Sequence, residues 1–311
     1  MKKLLFLSLI TTLGFASTVN YENLSEEKKI VMETIDEFRN MQIKAFNYEL
    51  SNYKFTNLKS SGQNFIDSLD EKNSKYNIGT FTNFVGDKNK YNINTNINFS
   101  KALDYEGNKT MFGATVGYTN SLINSNKING INFGLNASAY IPDFKVRINT
   151  EHKFNYSIID YNKDFKQNYM GIIGGLDFRL HFGKKYFVEP GLRASYTYNL
   201  KSEVRDQNNS LVKLVPSFNY NIGAFLRAGI LFETKNKYKL SIGYAFDKRL
   251  KNSNKYEIFS REIINKKEDN YMVHSGDILV EMLFKDKHKL SLSLGKLSQA
   301  YSATLGYNYE W

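Results

Sequence analysis

From Tyr76 to Trp311 the chain alternates side chains of opposite character with a period of two, a pattern that commits this region to β-sheet. The stretch 91–99, YNINTNINF, puts Tyr91, Ile93, Thr95, Ile97 and Phe99 on one face and Asn92, Asn94, Asn96 and Asn98 on the other. GINFGLNASAYI at 130–141 sends Ile131, Phe133, Leu135, Ala137, Ala139 and Ile141 one way, with Asn132, Gly134, Asn136, Ser138 and Tyr140 opposite. FKVRINTEHKFNY, NYMGIIGGLDFRLHF, YKLSIGYAF, HKLSLSLG and AYSATLGYNYEW repeat the pattern. It predicts twelve strands at 76–86, 89–100, 110–121, 129–141, 144–157, 167–182, 186–199, 213–232, 238–249, 270–285, 288–296 and 300–311.

The connections sort by length. PD at 142–143, GKK at 183–185, ETKNK at 233–237 and DK at 286–287 are tight, whereas 158–166, 200–212 and 250–269 read as longer polar loops. Short turns below and long loops above characterise a barrel that spans an outer membrane, with both ends of an even-stranded barrel on the periplasmic side. A soluble sandwich would also alternate, but a second sheet would seal its apolar face. Here the face opposite the apolar one carries Asn, Lys, Arg, Glu and Gly, which suits a wet lumen. Aromatic residues stand at the ends of the apolar face, at Tyr91 and Phe99, Phe154 and Tyr156, Tyr196 and Tyr198, and Tyr307 to Trp311. Such rings favour a membrane–water interface. The expected fold is therefore all-β, a twelve-stranded antiparallel transmembrane β-barrel with a short N-terminal α-helical segment.

The 311 residues divide into three parts on this reading. Residues 1–17, MKKLLFLSLITTLGFAS, have a basic start, a short apolar run and small residues at the end, the layout of a cleaved signal peptide. Residues 18–75 form a helical segment (plug, linker or miniature passenger), and 76–311 form the barrel. Asn23 and Glu26 are placed to make a capping box, and Val31, Ile35 and Phe38 share one helical face. A helix from Asn23 to Leu50 would be about 40 Å long, enough to cross a membrane inside a pore. Its seven acidic and four basic side chains between Glu22 and Glu49 leave it acidic. Segment 62–72 is an alternative plug.

Composition narrows the chemistry. Without cysteine the chain has neither disulfides nor cysteine metal ligands. Lys and Arg exceed Asp and Glu, 42 to 31, but they form no compact cluster and no nucleic-acid motif, so no nucleic-acid partner is expected. Four histidines are available: His152 and His274 fall on the apolar face, His288 lies beside a turn, and His181 points inward on the side of Asp177 and Arg179. That last cluster reads as a lumen ion-pair network, and no hydrolase, metalloprotease, P-loop or calcium-loop pattern occurs. No catalytic residue, metal or cofactor is expected, and the chain is read as non-enzymatic. The GIIGG run at 171–175 predicts a place where something approaches the barrel wall. Candidate pore-lining residues are Lys145, Arg147, Glu151, Lys153, Asp177, Arg179, Glu189, Arg193, Arg227, Asp247 and Glu281. They would either neutralise one another or hold the acidic helix.

Four stretches, YFVEPGLRASYTYN (186–199), IGAFLRAGILFE (222–233), KLSIGYAFDKRL and the closing SATLGYNYEW, resemble the C-terminal translocator barrel of bacterial autotransporters. The resemblance covers roughly 76–311. It implies twelve strands, a helix threaded through the pore, and delivery of an N-terminal passenger to the cell surface. Here fewer than 60 residues precede the barrel in the mature chain, so the passenger would be very short or vestigial. The resemblance also implies that Tyr307, Tyr309 and Trp311 form the C-terminal signal read by the outer-membrane barrel assembly machinery. Pro190 within VEPG predicts a bulge or strand end, eased by Gly191. The remaining expected partners are outer-membrane lipid and a host or surface ligand on loops 200–212 and 250–269, around a monomeric barrel. The second reading is a stand-alone pore or a structural or adhesive outer-membrane barrel with a periplasmic N-terminal helix.

Overall fold

The computed structural model describes residues 21, 24–52, 75–105, 108–161, 165–200, 202–205, 211–251, 255–258, 261–264, 272–285 and 287–311. The signal peptide and segment 62–72 lie outside the described residues. Among the described residues one α-helix, α1 (Glu26–Asn52), precedes the strands. The strands are β1 (Lys75–Gly86), β2 (Lys90–Tyr105), β3 (Asn108–Ile123), β4 (Asn126–Ile141), β5 (Val146–Tyr161), β6 (Phe165–Leu180), the two-residue β7 (Phe182–Gly183) and β8 (Tyr186–Asn199). They continue with β9 (Ser202–Arg205), β10 (Leu211–Val215), β11 (Ser217–Glu233), β12 (Lys237–Lys251), β13 (Lys255–Ile258), β14 (Arg261–Ile264), β15 (Met272–Phe284), β16 (His288–Leu297) and β17 (Ala300–Glu310).

Twelve of these form a closed antiparallel barrel in the order β1, β2, β3, β4, β5, β6, β8, β11, β12, β15, β16, β17. The last strand pairs with the first from Asn77 opposite Glu310 to Gly86 opposite Tyr301, so no edge remains. Alternation decides which way each side chain points. In β2, Asn92, Asn96 and Asn98 are buried in the lumen, and Ile97 and Phe99 face outward. The outer surface is a continuous apolar belt that includes Leu135, 71% exposed, Leu192, Ile242, Leu294 and Leu305. An apolar surface of this extent is stable only in hydrocarbon, where a closed barrel satisfies every backbone group. Among the described residues no helix is long and apolar enough to cross a membrane.

The strands run past their expected ends. The predicted polar loop 158–166 is mostly strand, since β5 continues to Tyr161 and β6 starts at Phe165. The reason is that Ile159 and Tyr161 turn inward onto an apolar core at this end of the barrel. The described parts of the loops 200–212 and 250–269 likewise contribute to a second sheet of four short strands, in the order β14, β13, β10, β9. Pro216, which cannot donate to a ladder, separates β10 from β11 where one continuous strand, 213–232, is expected. The two-residue turn between β3 and β4 has both Asn124 (φ 49°) and Ser125 (φ 69°) in the left-handed region, the geometry of a tight hairpin.

Pro190 produces a gap rather than a slip. The β6–β8 ladder runs to Arg179 opposite Gly191, and β7 resumes it with Phe182 opposite Val188, in the same register. The proline removes one donor, and the strand keeps its place because β11 pairs with its other side from Ser217 through Ile230. The expected bulge is therefore absent.

α1 begins at Glu26, and the expected cap, Asn23, lies outside the described residues. The Lys29 amide donates to the Ser25 carbonyl at 3.1 Å, which makes Ser25 the cap, and Glu26 and Glu27 occupy the first turn where the helix dipole favours acids. Its N-terminal half, Val31, Met32, Ile35 and Phe38, packs against Val212, Leu214, Tyr256 and Ile258 of the small sheet and against Ile123, Ile128, Ile159, Tyr161 and Tyr169 of the barrel. Its C-terminal half packs Ile43, Phe46 and Leu50 on Met111, Tyr140 and Ile173.

Candidate functional site

The lumen has two unlike halves. Between its rims, β17 and β1 to β4 turn in only small, amide or apolar side chains. The register sets Asn96, Gly117 and Asn132 side by side across three strands, with Asn94 and Thr119 above and Asn98 and Thr115 below. The ionised groups come from β5, β6, β8, β11, β12, β15 and β16. There Arg179 meets Asp177 at 2.9 Å, Arg193 Nε meets Asp247 at 2.7 Å, Arg227 meets Asp277 at 2.6 Å, and Lys239 meets Glu281 at 3.2 Å. Lys289 also binds Glu281, at 2.5 Å.

Bonds to α1 come from strands all round the barrel. Near its N-terminal half, the Tyr256 hydroxyl reaches the Met32 carbonyl (3.1 Å) and Asp36 (3.0 Å), Asn126 donates to Thr34 (2.8 Å), and Lys90 pairs with Glu37 (2.9 Å). Burial, reinforced by the Asp36 carboxylate, raises the Tyr256 phenol well above its ordinary value, so the hydroxyl keeps its proton for these contacts. Midway, Arg39 donates to Thr197 (2.9 Å), Arg249 to Asn40 (2.8 Å), and Asn83 to the Ala45 carbonyl (3.2 Å). Further on, Lys153 pairs with Glu49 at 2.7 Å and lies over the rings of Phe46 and Phe81, and Tyr48 meets Ser293.

The helix has no basic residue in its last turn to complement its dipole. The barrel supplies that charge: Arg193 donates to the Asn47 carbonyl at 2.9 Å and Arg179 to the Leu50 carbonyl at 3.3 Å. Both arginines are held in place by their own aspartates. Self-neutralisation and helix holding, alternatives in the sequence, are thus combined in the same side chains.

Of the candidate pore-lining residues, Arg147, Glu151, Lys153, Asp177, Arg179, Glu189, Arg193, Arg227, Asp247 and Glu281 are all buried on the inner face. Lys145 is not among them. It is exposed in the β4–β5 turn with φ 53°, and strand alternation does not extend to it because β5 begins at Val146. Lys239, Arg249, Asp277 and Lys289 belong to the same ionic group and are absent from the sequence-based set. Strand parity alone would have found Lys239 and Arg249, which share the face of Ser241 and Asp247.

His181 pairs with Glu189 at 3.0 Å through Nδ1, while Nε2 lies 3.0 Å from the Gly183 carbonyl. Both ring nitrogens are engaged, and Asp177 is committed to Arg179 and Asn149. The groups therefore divide into two separate pairs, His181 with Glu189 and Arg179 with Asp177, instead of one acid–base cluster. His152, His274 and His288 lie outside the lumen, each beside a tyrosine hydroxyl, of Tyr196, Tyr244 and Tyr307 respectively. Among the described residues no group of acids and histidines is arranged to hold a metal ion. At the C-terminus, Trp311 stacks on Tyr309 and Tyr76 and exchanges backbone hydrogen bonds with Tyr76 at 3.0 and 3.2 Å.

Within the glycine run at 171–175, Gly175 is the position that faces the helix. A Cβ on Gly175 would stand 2.8 Å from Phe46 and 3.1 Å from Leu50, as well as 2.8 Å from the Ala194 carbonyl. Gly175→Leu should therefore displace the C-terminal half of α1 and leave the barrel closed. Protease cleavage between residues 40 and 52, with the barrel still migrating faster unboiled than boiled on a denaturing gel, is the expected result. A helix as protected as in the parent would refute it.

Two solved structures carry the comparison with known proteins. The β domain of the Bordetella autotransporter BrkA superposes with a TM-score of 0.58 at 14% identity, covering 77% of this chain and 99% of that one. The translocator domain of the autotransporter NalP from Neisseria meningitidis gives 0.56 at 8% identity, over 78% and 90%. No family model and no curated protein matches the chain. The fold is that of autotransporter translocator domains, a closed twelve-stranded outer-membrane-type barrel.

Proposed function

We propose that the chain is an outer-membrane barrel of the translocator kind, in which α1 remains in the pore as a plug and carries a very short segment to the cell surface. The observation behind this reading is the direction of the helix. Its N-terminal half lies under the sheet built from the long connections, and its C-terminal half lies toward the end where β1 begins and β17 finishes. A chain that had passed outward through the barrel and stopped would lie in this sense. The Lys153–Glu49 ion pair and the hydrogen bonds that Arg179 and Arg193 donate to helix carbonyls favour a pore location over a periplasmic arm, which would have no use for them. The likeness to the BrkA β domain and the NalP translocator domain supports the same class. The lumen is filled by structural contacts, which supports a non-enzymatic role.

The test places an epitope tag between Thr18 and Asn20. Antibody should label it on intact cells. Labelling only after permeabilisation would leave the N-terminus inside and overturn the proposal.

A further inference from the structure

The short-turn rim of the barrel is basic on one side, and the turns responsible are tied together. The His181 amide donates to the Lys145 carbonyl at 2.9 Å, joining the β4–β5 turn to the β6–β8 connection. The Leu231 amide donates to the Lys185 carbonyl at 2.7 Å, joining that connection in turn to the end of β11 and the turn before β12. These three turns carry Lys145, Lys184, Lys185, Lys235 and Lys237 against two acids, Asp143 and Glu233. Glu233 is already near Lys237, at 3.8 Å. Lys145, Lys184, Lys185 and Lys235 stand exposed.

The lysines alternate with large exposed rings. Phe144 and Tyr186 are 73% and 69% exposed, Phe182 and Phe232 are also at the surface, and Lys185 lies 5.8 Å over the Tyr186 ring. The rings continue the apolar belt to its edge, and the ammonium groups sit just beyond it. Aromatic rings at this level anchor in the interfacial layer, and lysines flanking them reach the phosphate layer. A cluster of ammonium groups there attracts anionic headgroups. A docked protein would need recognition groups facing water, whereas these lysines flank rings that belong in the bilayer interface.

We propose that the three joined turns form a docking surface for anionic phospholipid headgroups in the adjacent leaflet. The headgroup phosphate accepts hydrogen bonds from Lys145, Lys184, Lys185 and Lys235, and the acyl chains lie along Phe144, Phe182, Tyr186 and Phe232.

The experiment uses the full chain reconstituted in vesicles of equal phosphatidylglycerol and phosphatidylcholine, re-extracted gently, with retained lipid counted by native mass spectrometry. Phosphatidylglycerol should be retained over phosphatidylcholine by about fivefold. The variant K145Q/K184Q/K185Q/K235Q should bring the ratio to parity. The variant K88Q/K127Q/K166Q, at the opposite rim, should leave it unchanged. Faster migration of each unboiled variant confirms that the barrel has folded, and unfolded material is replaced by the single K185Q and K235Q variants, which should lower the ratio in part. Parity in the parent, an undiminished ratio in the quadruple variant, or equal loss from the opposite-rim variant would overturn the assignment.

Discussion

Deleting residues 18–52 should raise the single-channel conductance of the reconstituted protein by about an order of magnitude. A helix with its side chains is about 10–12 Å across. A twelve-stranded barrel falls between the filled eight-stranded barrels and the open sixteen-stranded porins, so one helix accounts for most of its bore. In this protein α1 meets side chains from opposite walls at once, Asn83 and Tyr48–Ser293 on one side and Arg39–Thr197 and Arg193 on the other. Little room for ions remains beside it. The charged half of the wall, freed of the helix, should then set the selectivity. A deletion variant that conducts no better than the parent would mean that α1 is not the plug.

The second large effect concerns the ion pair between Lys153 and Glu49. Both side chains are almost wholly buried, and their 2.7 Å contact joins wall to helix. Removing one partner of a buried pair leaves the other charge uncompensated, which typically costs about 3–5 kcal/mol. Lys153→Met should therefore undock the C-terminal half of α1, seen as frequent openings in single-channel records and as loss of hydrogen-exchange protection across residues 43–52. The barrel strands should keep theirs. Glu49→Gln combined with Lys153→Gln removes both charges and should recover much of the protection. If the double variant were no better than the sum of the two single changes, the pair would not be the fastening that the geometry indicates.

The sequence carried the barrel almost entirely in its alternation, because each strand faces two different solvents and each solvent selects its own residues. The asparagines of 92–98 and the apolar residues between them suit a wet lumen on one side and hydrocarbon on the other. The approach of the helix was legible in part, through Gly175, whereas Gly171 and Gly174 make room for Tyr169, His152 and Tyr196 of the wall itself. What alternation could not show lies at the two ends. Lys145 has the right parity and the wrong backbone, since a left-handed turn residue takes its direction from the turn. Ile123, Ile159 and Tyr161 are apolar and face inward, against the rule for a wet lumen, because there the inside is a core shared with α1 and the small sheet. Loops 200–212 and 250–269 look polar because β10 and β13 each bury alternate residues, Val212 and Leu214 in one and Tyr256 and Ile258 in the other. Pairings such as Arg193 with Asp247 or Arg227 with Asp277 join strands well apart in sequence, and a single chain gives no sign of which acid each arginine takes.

The division of the lumen wall into an amide half and an ionic half bears on how the sequence can drift. At Asn96 or Asn132 a change to serine, threonine or glutamine keeps an uncharged polar group facing the same space, and no distant residue has to answer it. At Asp247 or Asp277 any loss of charge strands an arginine in a closed interior, so the neighbour on another strand must change with it. Substitutions should therefore accumulate one at a time along β1 to β4 and in matched pairs along β5 to β15. The statistical record of related chains would carry long-range correlation from one side of the pore and almost none from the other.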